Sequence, residues 1–277
     1  MPRSPRTASR TSRGRTRRPD RTYRFDDLAG FMMEVERVVH DWTPPRVEWY
    51  LQPWFRGHVD ATWSLSPGLY RLRTVRGLGA EYYTEQELLD SFKLRAPPYL
   101  PRLPRSDWEW LFLMQHYGLP TRLLDWTESA LVALYFAVAE HDGRGDSAVW
   151  AINPWWINKQ AFGKYELFSA DSPCAAPWAP GKLADKVARA PIALRPAHES
   201  ARIQAQRGVF TIHCSERGGL DALAEAGDDA CIRKLVLPGG AVASVRRELS
   251  VAGISESAVF PELPGLCRDL KRFFFGA

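Results

Sequence analysis

Residues 25–275 predict a single mixed α/β or α+β domain, and three observations carry that expectation. Strand-like alternation at residues 47–56, 148–152 and 232–237 is separated by helix-like stretches. Ser/Thr-x-x-Glu boxes at Thr84/Glu87 and Ser106/Glu109 mark helix starts. A composition of 45% apolar and 25% charged residues over 277 positions suits one sizeable core with an appendage.

The elements follow in chain order. Residues 31–39 read as a short amphipathic helix, and 47–56 as a strand alternating Val47, Trp49 and Leu51 before an aromatic run. The Thr84 box opens a helix with Leu88, Leu89 and Phe92 on one side, which stops before Pro97-Pro98. The Ser106 box opens a second helix, halted by Gly118 and Pro120, so Gln115, His116 and Tyr117 fall in its last turn. Residues 121–125 are extended, Thr127 is the expected N-cap, and Leu131, Leu134, Tyr135 and Val138 form the buried stripe of the next helix. Residues 153–190 show no clean period and are expected to wander over the surface. Residues 201–206 read as a polar turn feeding a strand, 232–237 as a strand and 241–252 as a helix.

Charge is unevenly distributed. Residues 1–22 hold eight arginines and one Asp, a net +7 against +5 for the whole chain, which leaves the remainder at −2. Without one large apolar residue beyond Met1 to bury, this segment is expected to be a disordered tail. It suits nonspecific contact with nucleic-acid phosphates, although an incidental leader or a transit peptide fits the same composition. Cys174, Cys214, Cys231 and Cys267 form no CxxC pair and have no His at ligand spacing, so no metal site and a cytoplasmic, reduced protein are expected. The longest uncharged apolar run, residues 130–139, is half the roughly 20 residues of a bilayer span, and no membrane partner is expected. Walker, HExxH and GxSxG signatures are absent from the sequence.

Residues 115–127, Gln-His-Tyr-Gly-Leu-Pro-Thr-Arg-Leu-Leu-Asp-Trp-Thr, are dense in side chains that folding alone does not require. With Phe55-Arg56-Gly57, residues 133–137 (Ala-Leu-Tyr-Phe-Ala), residues 206–210 (Gln-Arg-Gly-Val-Phe), Phe260-Pro261 and Leu263, they resemble the FRG domain, a family of prokaryotes and viruses named for its Phe-Arg-Gly motif. That resemblance implies a domain over residues 25–275 and supplies no chemistry.

The order of elements is similar to that of NAD-dependent ADP-ribosyltransferases: an Arg-bearing strand, a strand running into an apolar helix, then a late polar corner before a strand. The likeness implies a split, mostly antiparallel sheet flanked by helices, with NAD as a substrate and a role in microbial defence. It also implies Arg56, Asp125 and Gln206 as catalytic positions. Arg56, Gly57, His116, Tyr117, Arg122, Trp126 and Thr127 are the implied nucleotide-binding set. This chain departs from the transferase Gln-x-Glu, having Gln204-Ala205-Gln206. An amide is no general base, so Asp125 or Glu199 takes that role, or the pocket binds a nucleotide or peptide without cleaving it.

Each residue also has a structural reading. Arg56 and Asp125 suit a buried ion pair, His116 suits a helix C-terminus, and Trp126 suits the core. Arg122 suits bonds to helix-end carbonyls, and Gly57 and Gly208 suit backbone requirements. The site reading expects Arg56 and Asp125 together at one edge of the sheet, with Tyr117 or Trp126 and Gln206 in the same concavity.

Overall fold

A computed structural model describes residues 23–43, 51–72, 81–180, 190–196, 200–214, 219–222 and 231–276. The elements run β1 (Tyr23–Arg24), α1 (Leu28–Trp42), β2 (Trp54–His58), α2 (Gly68–Arg71), α3 (Glu81–Arg95), α4 (Asp107–His116), β3 (Leu123–Thr127), α5 (Ala130–Val138), β4 (Ser147–Ile152), α6 (Pro154–Phe162), β5 (Phe168–Ser169), β6 (Ile192–Arg195), α7 (Ala201–Gln206), β7 (Gly208–Ile212), β8 (Ile232–Leu237), α8 (Val242–Val251), α9 (Glu256–Val259) and α10 (Leu263–Phe275). The fold is mixed α/β. The described strands form one sheet in the order β1-β8-β4-β2-β3-β7-β6-β5, antiparallel except at its two outermost pairs.

Helices cover both faces. On one, α1, α5 and α8 bury Phe31, Val35, Val132, Leu134, Val245 and Leu249 against Phe55, Val149, Ala151 and Leu235. The other face is built from Trp54, Leu124, Trp126, Trp150 and Ile152, with Ile157 of α6 packed on it. Toward the far edge, Leu111 and Phe112 of α4 meet Leu123, Phe210 and Ile212. α3 packs on the outer side of α4 through Leu89, Trp110 and Met114.

Local chemistry explains the element ends. Ser106 caps α4 by accepting from the Glu109 N–H at 3.2 Å, and Glu109 accepts from the Arg105 N–H at 2.8 Å, a near capping box. Gly118 supplies the left-handed turn after α4, at φ 79°. Gly57 has a packing reason: a Cβ there would lie 2.0 Å from the Ala133 carbonyl oxygen, so only glycine lets α5 lie this close to β2.

Several boundaries differ from expectation. α1 is longer than residues 31–39, because Asp27 caps it by accepting from the Gly30 N–H. β2 starts at Trp54 and runs through His58, and residues 47–50 of the expected strand lie outside the described residues. α3 begins at Glu81, which places Thr84 inside the helix and not at its cap. Ser129 caps α5, while Thr127 accepts from the Ser129 N–H and donates to the Gln206 carbonyl, pinning the β3–α5 corner to α7. Residues 181–189 of the stretch expected to wander lie outside the described residues, and residues 153–180 do not wander. They hold α6, β5 and a 3-10 turn at Pro173–Trp178, and they bury Asn158, Ala175 and Trp178. Residues 201–206 are a helix, capped by Ser200 and closed by Arg207 at φ 47°. No helix among the described residues is long and apolar enough to cross a membrane.

Candidate active site at the sheet seam

β2 pairs with β4 over five residues, and β3 pairs with β7 over five, yet β2 and β3 share one pair, Phe55 with Thr127. Beyond that pair the strands part, and a cavity of about 360 Å³ lies at the seam. The expected juxtaposition of Arg56 and Asp125 therefore sits in the middle of the sheet rather than at an edge.

Arg56 spans the opening. Its Nη1 donates to the Asp125 main-chain oxygen at 2.7 Å and lies 3.7 Å from the Asp125 carboxylate. That carbonyl faces a strand that has diverged, and the guanidinium replaces the missing ladder partner. Arg56 Nε donates to His58 Nε2 at 3.0 Å, which requires a neutral His58 ring with its proton on Nδ1. Burial and then the Arg56 charge push the His58 pKa down to about 3, in keeping with that state. Desolvation also lowers the Arg56 pKa, and the Asp125 charge opposes it.

Asp125 is held from the other side. Its Oδ2 accepts from Gln115 Nε2 at 2.7 Å, and Gln115 Oε1 accepts from Thr121 Oγ1 at 2.6 Å. Asp125 Oδ1 has no hydrogen-bond partner among the described residues, and the side chain is about half exposed. One carboxylate oxygen is thus fixed and the other is open to solvent.

Two arginines missed in the sequence complete the charge. Arg71 from α2 and Arg202 from α7 line the cavity, so three guanidiniums face the single carboxylate of Asp125. Burial, and then the Arg202 charge, also lower the pKa of His116, so both lining histidines are neutral at pH 7 and the cavity is two charges positive. Arg202 stacks on Phe260 at 4.7 Å from its ring centre. Phe55, Phe112, Phe136 and Phe210 add apolar wall, and the half-exposed Trp63, 6.0 Å from the His58 ring, adds an aromatic face at the rim.

The structure brings Arg56, Gly57, His116, Asp125, Trp126, Thr127 and Gln206 to this cavity. Trp126 contributes wall and no free face: its ring is buried beside Trp54 and Leu124, and its Nε1 donates to Thr211 Oγ1 at 3.0 Å. Gln206 donates its amide to the Val259 carbonyl at 3.3 Å. Tyr117 and Arg122 are not among the lining residues. Tyr117 is exposed and meets the His116 ring edge-on. Arg122 is in the core, bonded to Glu85 at 2.6 Å and to the carbonyls of His213 and Trp178. Glu199, the other candidate base, lies outside the described residues.

A usable signal existed for the missed residues. His58 follows directly on Phe55-Arg56-Gly57 and Trp63 comes six positions after Gly57, and Arg202 and Gln206 stand four apart, which places them on one face once α7 is known to be a helix.

Comparison with known families bears on the same seam. Residues 52–145 match the FRG domain family. The chain carries an FRG domain. The FRG match includes β2, β3 and α5, and with them Arg56, Gly57, Gln115 and Asp125; α7 and β7, which close the cavity with Arg202 and Gln206, lie beyond it. No curated protein and no solved structure matches the chain.

Proposed function

We propose that the FRG seam binds a nucleotide, NAD in the first place, and transfers its ADP-ribose to a protein or nucleic-acid acceptor, as an ADP-ribosyltransferase-like enzyme of prokaryotic defence. The observation that carries this reading is a cavity two charges positive, walled by aromatic rings and holding one carboxylate with a free oxygen. Guanidiniums suit a diphosphate because their planar fork pairs with phosphate oxygens. Arg71 and Arg56 would take that role, with Trp63 or Phe136 against a flat ring.

Breaking the nicotinamide glycosidic bond sends the bonding electron pair to the leaving pyridine ring and leaves oxocarbenium character on the ribose. Asp125 Oδ1 would accept a hydrogen bond from a ribose hydroxyl and then the proton of the attacking nucleophile. Gln206 can orient the sugar and cannot take that proton.

A second reading rests on the same amide. With Gln206 in place of a Glu and tied to Val259, the pocket would recognise a nucleotide or peptide without cleaving it. Titration calorimetry with NAD tests binding, and nicotinamide release measured by chromatography separates the readings. Saturable release supports transfer, binding without release supports recognition, and absence of binding removes both for NAD.

A further inference from the structure

The three guanidiniums of the cavity are divided between the two faces of the sheet. Side chains alternate along β2, so Arg56 and His58 stand on the face of Trp54, while Phe55 and Gly57 face α5. All four line the cavity, which therefore passes through the seam from one face to the other. Arg71 belongs with Arg56. Its helix sets Tyr70 against His213, and the His213 ring meets Thr211, which holds Trp126 on the Trp54 side. Arg202 belongs to the other face: it lies over Phe260, whose ring meets Phe136 of α5, and Thr127 ties its helix to β3. Asp125 alternates with Trp126 and so points to that same face, where Gln115 of α4 holds it. The histidines report the same division. After burial, Arg56 and Arg71 lower the pKa of His58, and Arg202 lowers that of His116.

Arg202 is left without a counter-charge. It makes no ion pair among the described residues, and Glu262, the acid that acts on His116, is exposed and does not line the cavity. NAD brings two diphosphate charges and one pyridinium charge of opposite sign, a single net negative, into a cavity two charges positive. With the diphosphate on Arg56 and Arg71, the surplus positive charge is that of Arg202. A carboxylate cancels it. A terminal phosphate, close to doubly charged at neutral pH, overshoots, and a Lys or Arg side chain is repelled. A hydroxyl leaves the surplus in place and needs a base besides, whereas Gln206, the polar side chain that α7 sets beside Arg202 in the cavity, takes no proton.

Taking the transfer reading above as premise, we propose that the acceptor is an acidic protein side chain, a Glu or Asp carboxylate, drawn to the α7 side of the seam by Arg202. One oxygen of that carboxylate forms a bond to the anomeric carbon of the nicotinamide ribose as the carbon–nitrogen bond breaks, and the electron pair leaves with the pyridine ring. The products are an ester of ADP-ribose and neutral nicotinamide, and no proton moves. Asp125 Oδ1 then keeps one task, to accept from the ribose hydroxyl.

The test incubates the full chain with NAD and an end-blocked peptide carrying one Glu, the same peptide with Gln, Ser or Arg in that place, and a 5′-phosphorylated oligonucleotide. Mass spectrometry reads the gain of ADP-ribose. The expected result is gain on the Glu peptide alone, removed by neutral hydroxylamine as an ester requires. Arg202→Gln should raise the KM for the Glu peptide about tenfold or more, beyond any change in the KM for NAD, with part of the loss recovered by Arg202→Lys. Unchanged melting temperatures verify that both variants fold. Labelling of the Ser or Arg peptide or of the oligonucleotide, or a product that resists hydroxylamine, overturns the proposal. So does an unaltered peptide KM in Arg202→Gln. Nicotinamide release with no labelled peptide sinks the carboxylate acceptor and leaves NAD cleavage standing, whereas absence of NAD binding removes both.

Discussion

Two arginines flank the same short strand, and each faces a carboxylate, but they do different work. Arg122, just before β3, is sealed with Glu85: both side chains are 2% exposed, the N–O distance is 2.6 Å, and the remaining guanidinium donors reach two main-chain carbonyls. Arg56 faces Asp125 at 3.7 Å across an open seam, bonded to a main-chain oxygen, with its partner half exposed. A buried pair with every guanidinium nitrogen bonded is a lock, because removing one member strands the other charge out of water. A loose pair beside a free carboxylate oxygen in a positive cavity has capacity left for a ligand. The comparison shows that Arg-carboxylate proximity alone does not mark a site. Unspent hydrogen-bonding capacity does.

The comparison can be broken first at the lock. Arg122→Ala should cost about 3–5 kcal/mol in denaturant unfolding, and pairing it with Glu85→Leu should cost clearly less than the two single losses together. Additive losses would show that the pair is not a coupled unit. Next in size, Gly57→Ala should lose about 2–3 kcal/mol, because the new Cβ meets the α5 backbone at 2.0 Å. A fully stable variant would mean that α5 yields and the seam is softer than described.

A pH-dependent effect comes from a histidine beside each arginine. His58 accepts from Arg56 and His213 offers its carbonyl to Arg122; burial first, then neighbouring arginine charge, holds both pKa values at about 3. A depressed folded value means the unfolded chain takes up the proton first. The associated stability is therefore complete above about pH 6.5 and is lost as the pH falls toward 3. Each ring adds a slope of about 1.4 kcal/mol per pH unit within that window. His58→Gln, which keeps an acceptor for Arg56, should remove one such increment from the urea-unfolding profile measured against pH. An unaltered slope would place the His58 proton elsewhere.

The smallest stability effect belongs to the site. Arg56→Lys keeps the charge and loses the planar fork, so stability should move by no more than about 1 kcal/mol while NAD affinity drops about tenfold or more by calorimetry. A variant that melts far lower yet binds NAD normally would make Arg56 a second lock.

Much of the frame is legible in the sequence. Residues 232–237 read as a strand and form β8, because their β-branched and apolar run is buried on both faces. Ser106, Glu109 and Gly118 declare both ends of α4 through local chemistry. Residues 153–180 are opaque for a physical reason. Their burial is tertiary and irregular, as where the Asn158 side chain donates to the Ala193 carbonyl and accepts from its N–H. At the site, Arg56, Asp125 and the 115–127 block stand out by density, whereas Arg71 and Arg202 are single basic residues whose meaning comes only from where α2 and α7 place them. Arg122 and Arg56 cannot be told apart by sequence, since the partner that makes Arg122 a lock lies 37 positions away in α3.

The single Phe55–Thr127 pair has a mechanical consequence. A full ladder stiffens neighbouring strands against rotation, but two half-sheets joined at one rung have a hinge line there. β1, β8, β4 and β2 lie on one side of it, and β3, β7, β6 and β5 on the other. The width of the cavity and the angle between the half-sheets are then one coordinate, spanned by the Arg56 side chain. A molecule gripping Arg56 on one half and Asp125 on the other would act as the missing rungs, and filling the cavity would stiffen the whole sheet.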